Sequence, residues 1–360
     1  MRIRLGHVGC LIVMMFCAAG VAEAGDGVLL KPRFSKGQLQ YIEGLSESKQ
    51  TIKSQFGSME MTLIKKSGHF QKVESTSMDG MEFSTFMERM SLTLDSPMMG
   101  KLSYDSDIPS MEEAPNLKQM LEPMIGEKMI LKVDRDLKVT DVKGIDEILA
   151  KVEKKNAANP FAAGLRASFN KELISRQWRS IQIDPLPNTE VHIGDTWKYY
   201  PEEDVAQLGL SVKFDCTCKL DRVGKQDGRN VAFVSFEGKP TEYHQRMQVG
   251  GPLPKMEIKS GSLKGTFTFN IDDGRLLERD YNSECALGSA PAKEAKGDEA
   301  AAANGGMQVS LKSKNHVAFR TSDDRAKEKA ANAKKAAELK AKEEKEAEDD
   351  ESGDDADGEE

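Results

Sequence analysis

Chemistry in this chain would have to come from a small set of side chains: five histidines, five cysteines and the carboxylates near them, in 360 residues. His69, His192, His244 and His316 are widely separated and lack metal-ligand spacing. Each is expected at the surface or on an edge strand. His69 stands beside a Lys66-Ser67-Gly68 turn, and His316 alternates with an inward Val317. The chain holds no Gly-x-Ser-x-Gly elbow, no His-Glu-x-x-His pair and no glycine-rich phosphate loop before a helix. Asn270-Ile271-Asp272-Asp273-Gly274 has calcium-loop composition, but its glycine and glutamate spacing fails, so it reads as a hairpin turn. No catalytic residue, metal ligand or cofactor is therefore expected, and the protein is expected to be non-enzymatic.

The cysteines carry a narrower question. Cys10 and Cys17 fall in the first 24 residues, and Met14-Met15-Phe16 before Cys17 does not fit a lipobox. Cys216 and Cys218 lie two apart in Val212-Lys213-Phe214-Asp215-Cys216-Thr217-Cys218-Lys219-Leu220, which alternates apolar and polar residues. That pattern predicts a strand with both thiols facing a core. The other reading is one disulfide, from Cys216 or Cys218 to Cys285 on a neighbouring strand. Methionine is abundant, and a thioether adapts to irregular apolar ligands. Met59, Met61 and Trp197 are the residues expected to line an apolar ligand site. Against that, Gly194-Asp195-Thr196-Trp197 also reads as a turn that starts a strand with Trp197 anchoring the core.

The elements that would position these residues come in blocks. Residues 28–140 are strand-rich: Leu39 and Tyr41, then Met59, Met61 and Leu63, then Leu92 and Leu94 fall at period two, punctuated by Asp79-Gly80 and Met99-Gly100. Helices are expected within 114–178. One is marked by Leu117, Met120, Leu121 and Met124, one by Ile145, Ile148, Leu149 and Val152, and one starts at Asn159-Pro160 with Phe161, Leu165, Phe169 and Leu173 on a face. Strands return over 181–320, interrupted by an Ala-, Gly- and Lys-rich stretch at 288–306 that reads as a flexible insert. The order predicts an α+β fold: a long, curved antiparallel sheet, either two similar lobes or an open half-barrel, with about three helices grouped mid-chain.

The ends differ from this body. Arg2 and Arg4, an apolar run from Val8 to Val21, and Ala22-Glu23-Ala24 have the plan of a secretory signal peptide cleaved near Ala24-Gly25. A secreted or periplasmic body, 25–321, with no transmembrane segment after cleavage, is the expectation. Residues 322–360 hold 8 basic and 16 acidic side chains, which accounts for the whole net charge of −8. The body is therefore near neutral and shows no footprint for nucleic acid. Within the tail, a Lys/Glu/Ala-rich helix without an apolar stripe is expected to be solvated and fraying, followed by a disordered acidic end.

Ser103-Tyr104-Asp105-Ser106, Gly126 to Leu131, Val139 to Gly144, Pro185-Leu186-Pro187 with Val191 to Trp197, and Asp272-Asp273-Gly274-Arg275-Leu276 resemble a family of uncharacterised secreted bacterial proteins. Its marks are the Tyr-Asp-Ser and Gly-Asp-x-Trp signatures, and the likeness covers roughly 28–320. In architecture alone the chain is also similar to periplasmic lipoprotein carriers and lipid-binding lipoproteins. The resemblance implies a fold and is silent on activity. The leading expectation is a protein that binds a lipid or other apolar, envelope-derived ligand on a curved sheet. Its rival is a structural or interaction module that engages an envelope protein through the charged tail.

Overall fold

The computed structural model describes residues 27–54, 57–108, 114–155, 169–205, 209–245, 256–289 and 307–351. The signal-like segment, the Asn159-Pro160 helix start and most of the 288–306 insert lie outside these residues. In chain order the strands are β1 (Val28–Leu29), β2 (Leu39–Ser54), β3 (Gly57–Ser77), β4 (Gly80–Ser96), β5 (Gly100–Asp105), β6 (Lys128–Asp134) and β7 (Val139–Lys143). Then follow β8 (Glu190–Val191), β9 (Thr196–Tyr199), β10 (Glu202–Val205), β11 (Leu210–Gln226), β12 (Arg229–Gln245), β13 (Met256–Asn270), β14 (Arg275–Ser289) and β15 (Gln308–Arg320). The helices are α1 (Pro115–Leu121), α2 (Ile145–Lys155), α3 (Lys171–Gln182) and α4 (Ser322–Glu351).

Thirteen strands form one antiparallel sheet in the order β10-β11-β12-β13-β14-β15-β2-β3-β4-β6-β7, with β5 added to β4 and β9 to β11. The sheet is not closed into a barrel. It unites the two strand-rich regions of the sequence, because the last strand pairs with the first long one, Leu311 opposite Gln50. Of the two forms expected, two similar lobes or an open half-barrel, the sheet is one continuous surface left open. At 21 residues, β3 would run about 70 Å if straight. Bulges at Gly68/His69 and Val73/Ser75 bend its ladder with β4. The first of these replaces the expected Lys66-Ser67-Gly68 turn: the chain continues as strand, and Gly68 is there because a Cβ would overlap the hydroxyl of buried Tyr41.

One end of the sheet is rolled. Three strands separate β10 from β14 in the order, yet Tyr281 Oη on β14 donates to Glu203 Oε1 on β10 at 2.8 Å. The alternating inward residues Val212, Phe214, Cys216, Cys218 and Leu220 of β11 fill this roll together with Phe236, Leu263, Phe267, Leu287 and Val309. A second core lies at the far end, where Ile174 and Trp178 of α3 and Ile145 and Leu149 of α2 pack on Val73, Phe83 and Leu131. A third joins α1 and α2 to Met90 and Tyr104.

The α3 helix is capped by Asn170, whose side chain accepts from Leu173 N, and it runs through Gln182, past the expected return of strand at 181. It touches both edges of the open sheet. Lys171 Nζ donates to Thr140 O of β7 at 2.6 Å, and Arg176 makes a bidentate pair with Asp204 of β10 at 2.8 Å. At its C-terminal end Gln182 joins Gln40 and Gln71 in a buried amide cluster, donating to Gln71 Oε1 at 2.8 Å.

The tail helix departs from expectation. Thr321 and Asp324 cap α4 reciprocally, with Asp324 N donating to Thr321 Oγ1 at 3.2 Å and Thr321 N to Asp324 Oδ2 at 3.2 Å. Its first turns are docked rather than solvated. Arg325, 2% exposed, forks onto Asp107 at 2.8 and 2.9 Å and reaches Glu88 at 2.6 Å. Lys329 also meets Glu88, Asn332 also meets Asp107, and Glu328 pairs with buried Arg89. An apolar stripe was the wrong feature to look for, because ions fasten this helix.

Candidate binding face

Period-two alternation decides what the inner face of the sheet offers. On β2 and β3 the inward rows are Ile52 opposite Met59, Gln50 opposite Met61, and Ser48 opposite Leu63. Leu63 faces Leu94 on β4, and Leu94 faces Leu102 on β5, so three leucines form one cross-strand row. Leu63, Leu94, Leu102 and Met59 are each partly exposed, while Met61 is buried. None of these five belongs to the three buried cores. The α1 helix covers the next row, Leu92 and Tyr104, and stops short of this one. The β4–β5 turn beside the row carries Met98 and Met99, 81% and 45% exposed. The result is an apolar strip on the inner face, ending at an apolar turn.

Met59 and Met61 lie on the same inner face as this row, opposite Ile52 and Gln50. Trp197 does not join them. It sits on β9 opposite Cys218, its Nε1 donates to Pro185 O at 2.9 Å, and its ring packs against the rolled core. The three leucines escaped sequence reasoning because the row exists only through strand pairing. The signal available was the period-two spacing of Met59, Met61 and Leu63 and, separately, of Leu92 and Leu94, which gives a face on each strand but no register.

Cys216, Cys218 and Cys285 are free, buried thiols. Burial raises them, Cys216 to about 12 and Cys285 to about 11, so none is a poised nucleophile. Cys285 is on β14, which is not a neighbour of the β11 cysteines: β12 and β13 lie between. Sheet order thus corrects the neighbouring-strand premise of the disulfide reading.

Between the strip and the rolled core lies a cluster of charged and polar groups, of which Arg279 is buried and Glu203 partly so. Glu203 on β10 accepts from Tyr281 and, at 3.5 Å, from Asn315 Nδ2. Burial raises the Glu203 carboxyl and the Tyr281 phenol. Arg279 donates to Ser180 O at 2.6 Å and to Tyr199 Oη at 3.1 Å, tying the end of α3 to the sheet. Burial likewise raises Asp204, against the pull of Arg176, and lowers Lys65. His69, at the β3 bulge, is pushed down to about 4 by burial and by Lys65. It stands opposite buried Ile42 in the β2–β3 ladder and is half-buried on an interior strand, rather than at the surface or on an edge strand as the sequence suggested. The cavity among Glu203, Asp204, Ser48, Gln50, Ser283 and Ser313 is about 30 Å³, room for a water and little more. Glu203 and Arg279 bond to Tyr281, Asn315, Tyr199 and the backbone of α3, which is the pattern of a fastening.

Among the described residues, no helix is long and apolar enough to cross a membrane. A family model described as a family of unknown function, DUF6263, matches residues 79–275. No curated protein matches the chain. Among solved structures, one titled lipid-protein interactions in lipovitellin aligns at TM-score 0.38 and 8% identity, over 80% of this chain and 26% of that one. The chain thus spans about a quarter of that protein's length. A putative outer membrane lipoprotein-sorting protein domain from Vibrio parahaemolyticus aligns at TM-score 0.12 and 10% identity, covering 78% of this chain and 86% of that one. A DUF1329 family protein from Desulfovibrio piger gives 0.15 and 11%, with 78% and 84% covered. At such scores these likenesses carry no functional weight.

Proposed function

The chain belongs to DUF6263, a family of unknown function, and from that premise we propose that it is a non-enzymatic, extracytoplasmic protein that holds a lipid or other apolar ligand against the inner face of its sheet. The observation that carries this reading is the row Leu63–Leu94–Leu102 with Met59, all partly exposed, beside buried Met61 and outside every buried core. A sheet face gains by covering such a strip: at about 25 cal/mol per Å² of apolar surface removed from water, even a modest ligand recovers several kcal/mol. The polar cluster supports a binding role over a catalytic one, since Glu203, Arg279 and Tyr281 have protein partners.

Native mass spectrometry of the protein exported from a bacterial host tests the reading. Wild type is expected to carry a hydrophobic adduct that leaves on denaturation, and Leu94→Glu to lose it while keeping its fold. A folded wild type that never carries an adduct and never takes up an added fatty acid or phospholipid sinks the proposal.

The docked root of α4 favours a second reading. Because Arg325 fixes the helix on Glu88 and Asp107, the charged tail starts from a defined point on the body and could present itself to an envelope protein. Pull-down with the full chain and with a chain ending at Ala333, which keeps the contacts of Arg325, Lys329 and Asn332 with the body, separates the two, as only the interaction reading loses its partner on truncation.

A further inference from the structure

The outer face of β14 and β15 assembles three residues that the sequence keeps apart. His316 is directly opposite Asp280 in the ladder, and Glu278 precedes Asp280 by two residues on the same face. His316 Nδ1 lies 2.7 Å from Asp280 Oδ1 and 3.6 Å from Glu278 Oε1. One donor atom from each of the three falls within 4.8 Å of the others, and no other group of three histidine, cysteine or carboxylate donors is so placed among the described residues.

The chemistry of this donor set is specific. Two carboxylates held this close repel each other, a cation between them relieves the repulsion, and the imidazole adds a nitrogen donor. Imidazole nitrogen suits zinc and its first-row neighbours, whereas calcium and magnesium prefer oxygen throughout. The frame is preorganised: both strands are interior to the large sheet, so the register that aligns His316 with Asp280 is held by ladders on either side. Small Ala318 faces Glu278 across the ladder, and the Glu278 side chain is about half exposed, 47%. Asp280 and His316 also line an open groove of about 610 Å³ with Leu45, Thr266, Lys264 and Lys314. Further coordination positions would open into that groove, as they do at zinc sites that keep an exchangeable ligand.

We propose that Glu278, Asp280 and His316 form a site for a divalent first-row transition metal, with zinc as the reference ion. His244 with Glu242 and His192 with Asp195, each 3.5 Å apart, are exposed pairs with a single carboxylate and serve as internal controls. The test is calorimetric titration of the full chain with zinc, supported by the absorption of bound cobalt(II). One tight equivalent is expected. His316→Gln and Asp280→Asn should each weaken it ~10-fold or more, a typical cost of disturbing a metal's ligand shell. His244→Gln should leave it unchanged, and excess calcium should not displace the ion. Weak binding by the acidic tail is common to every variant and cancels. Unchanged zinc affinity in His316→Gln, an equal loss in His244→Gln, or displacement by calcium would each overturn the site. Matching circular dichroism and melting of the apo variants establish that the fold is intact, and Glu278→Gln supplies an independent removal.

Discussion

Tyr41 and Gly68 show how a single atom decides local structure. The phenol ring lies over the glycine across the β2–β3 ladder, and the hydroxyl occupies the space of a missing Cβ. Gly68→Ala is expected to cost ~1–3 kcal/mol through displacement of a fully buried ring, measurable by urea unfolding. His69 gives the residue scale its pH dependence. Its pKa falls from 6.5 to about 4 on folding, chiefly by burial. Between those values the unfolded chain takes up a proton that the folded chain refuses, so stability drops as pH falls from 6.5 towards 4 and then levels off. Raised carboxyls at Glu203 and Asp204 act in the opposite sense. The check is therefore a difference: His69→Gln should remove a slope of order 1 kcal/mol per pH unit across that window relative to wild type.

Among elements, α4 carries the clearest expectation. Arg325 is the buried cation between Glu88 and Asp107, so Arg325→Ala leaves Glu88 with only the exposed Lys329 and Asp107 with only the longer Arg89 ion pair, both poorly solvated. A loss of ~3–5 kcal/mol is expected. Restoring a cation with Lys should recover part of it, because an ammonium cannot reproduce the fork onto Asp107. Unfolding curves superimposable on wild type for Arg325→Ala would show that the root of the helix is not docked in solution. The contrast between elements also shows what was legible in the sequence. The alternation in 212–220 placed Cys216 and Cys218 in the core, and Asp272-Asp273-Gly274 marked the β13–β14 turn. The docking of α4 was illegible, since its partners lie on β4 and in the segment just after β5, more than 200 residues earlier. Glu278, Asp280 and His316 were hidden for the same reason, since only the register of β14 with β15 brings them together.

For the whole molecule, the roll of the sheet separates its two faces into different solvents. On β14, Arg279 and Tyr281 turn inward while Glu278 and Asp280 turn outward, so adjacent residues serve a buried polar fastening and an open groove. The same division makes the apolar strip a test of the whole fold: Leu63→Asp should abolish uptake of a fluorescent fatty acid while Glu47→Gln, on the opposite face of the same ladder, should not. Unequal roles for the two faces follow, and equal losses would mean that the ligand does not use the inner one. The position of α3 has a mechanical outcome as well. Its contacts with β7 and β10 are made by the long side chains of Lys171 and Arg176, with no strand pairing across the gap. The ring of the molecule is therefore buttoned rather than woven. Freeing β10 from α3 breaks the Arg176 pairs with Glu202 and Asp204 and leaves every ladder and the apolar packing of α3 intact, so salt should loosen this contact first, seen as faster amide exchange in β10 before the sheet itself gives way.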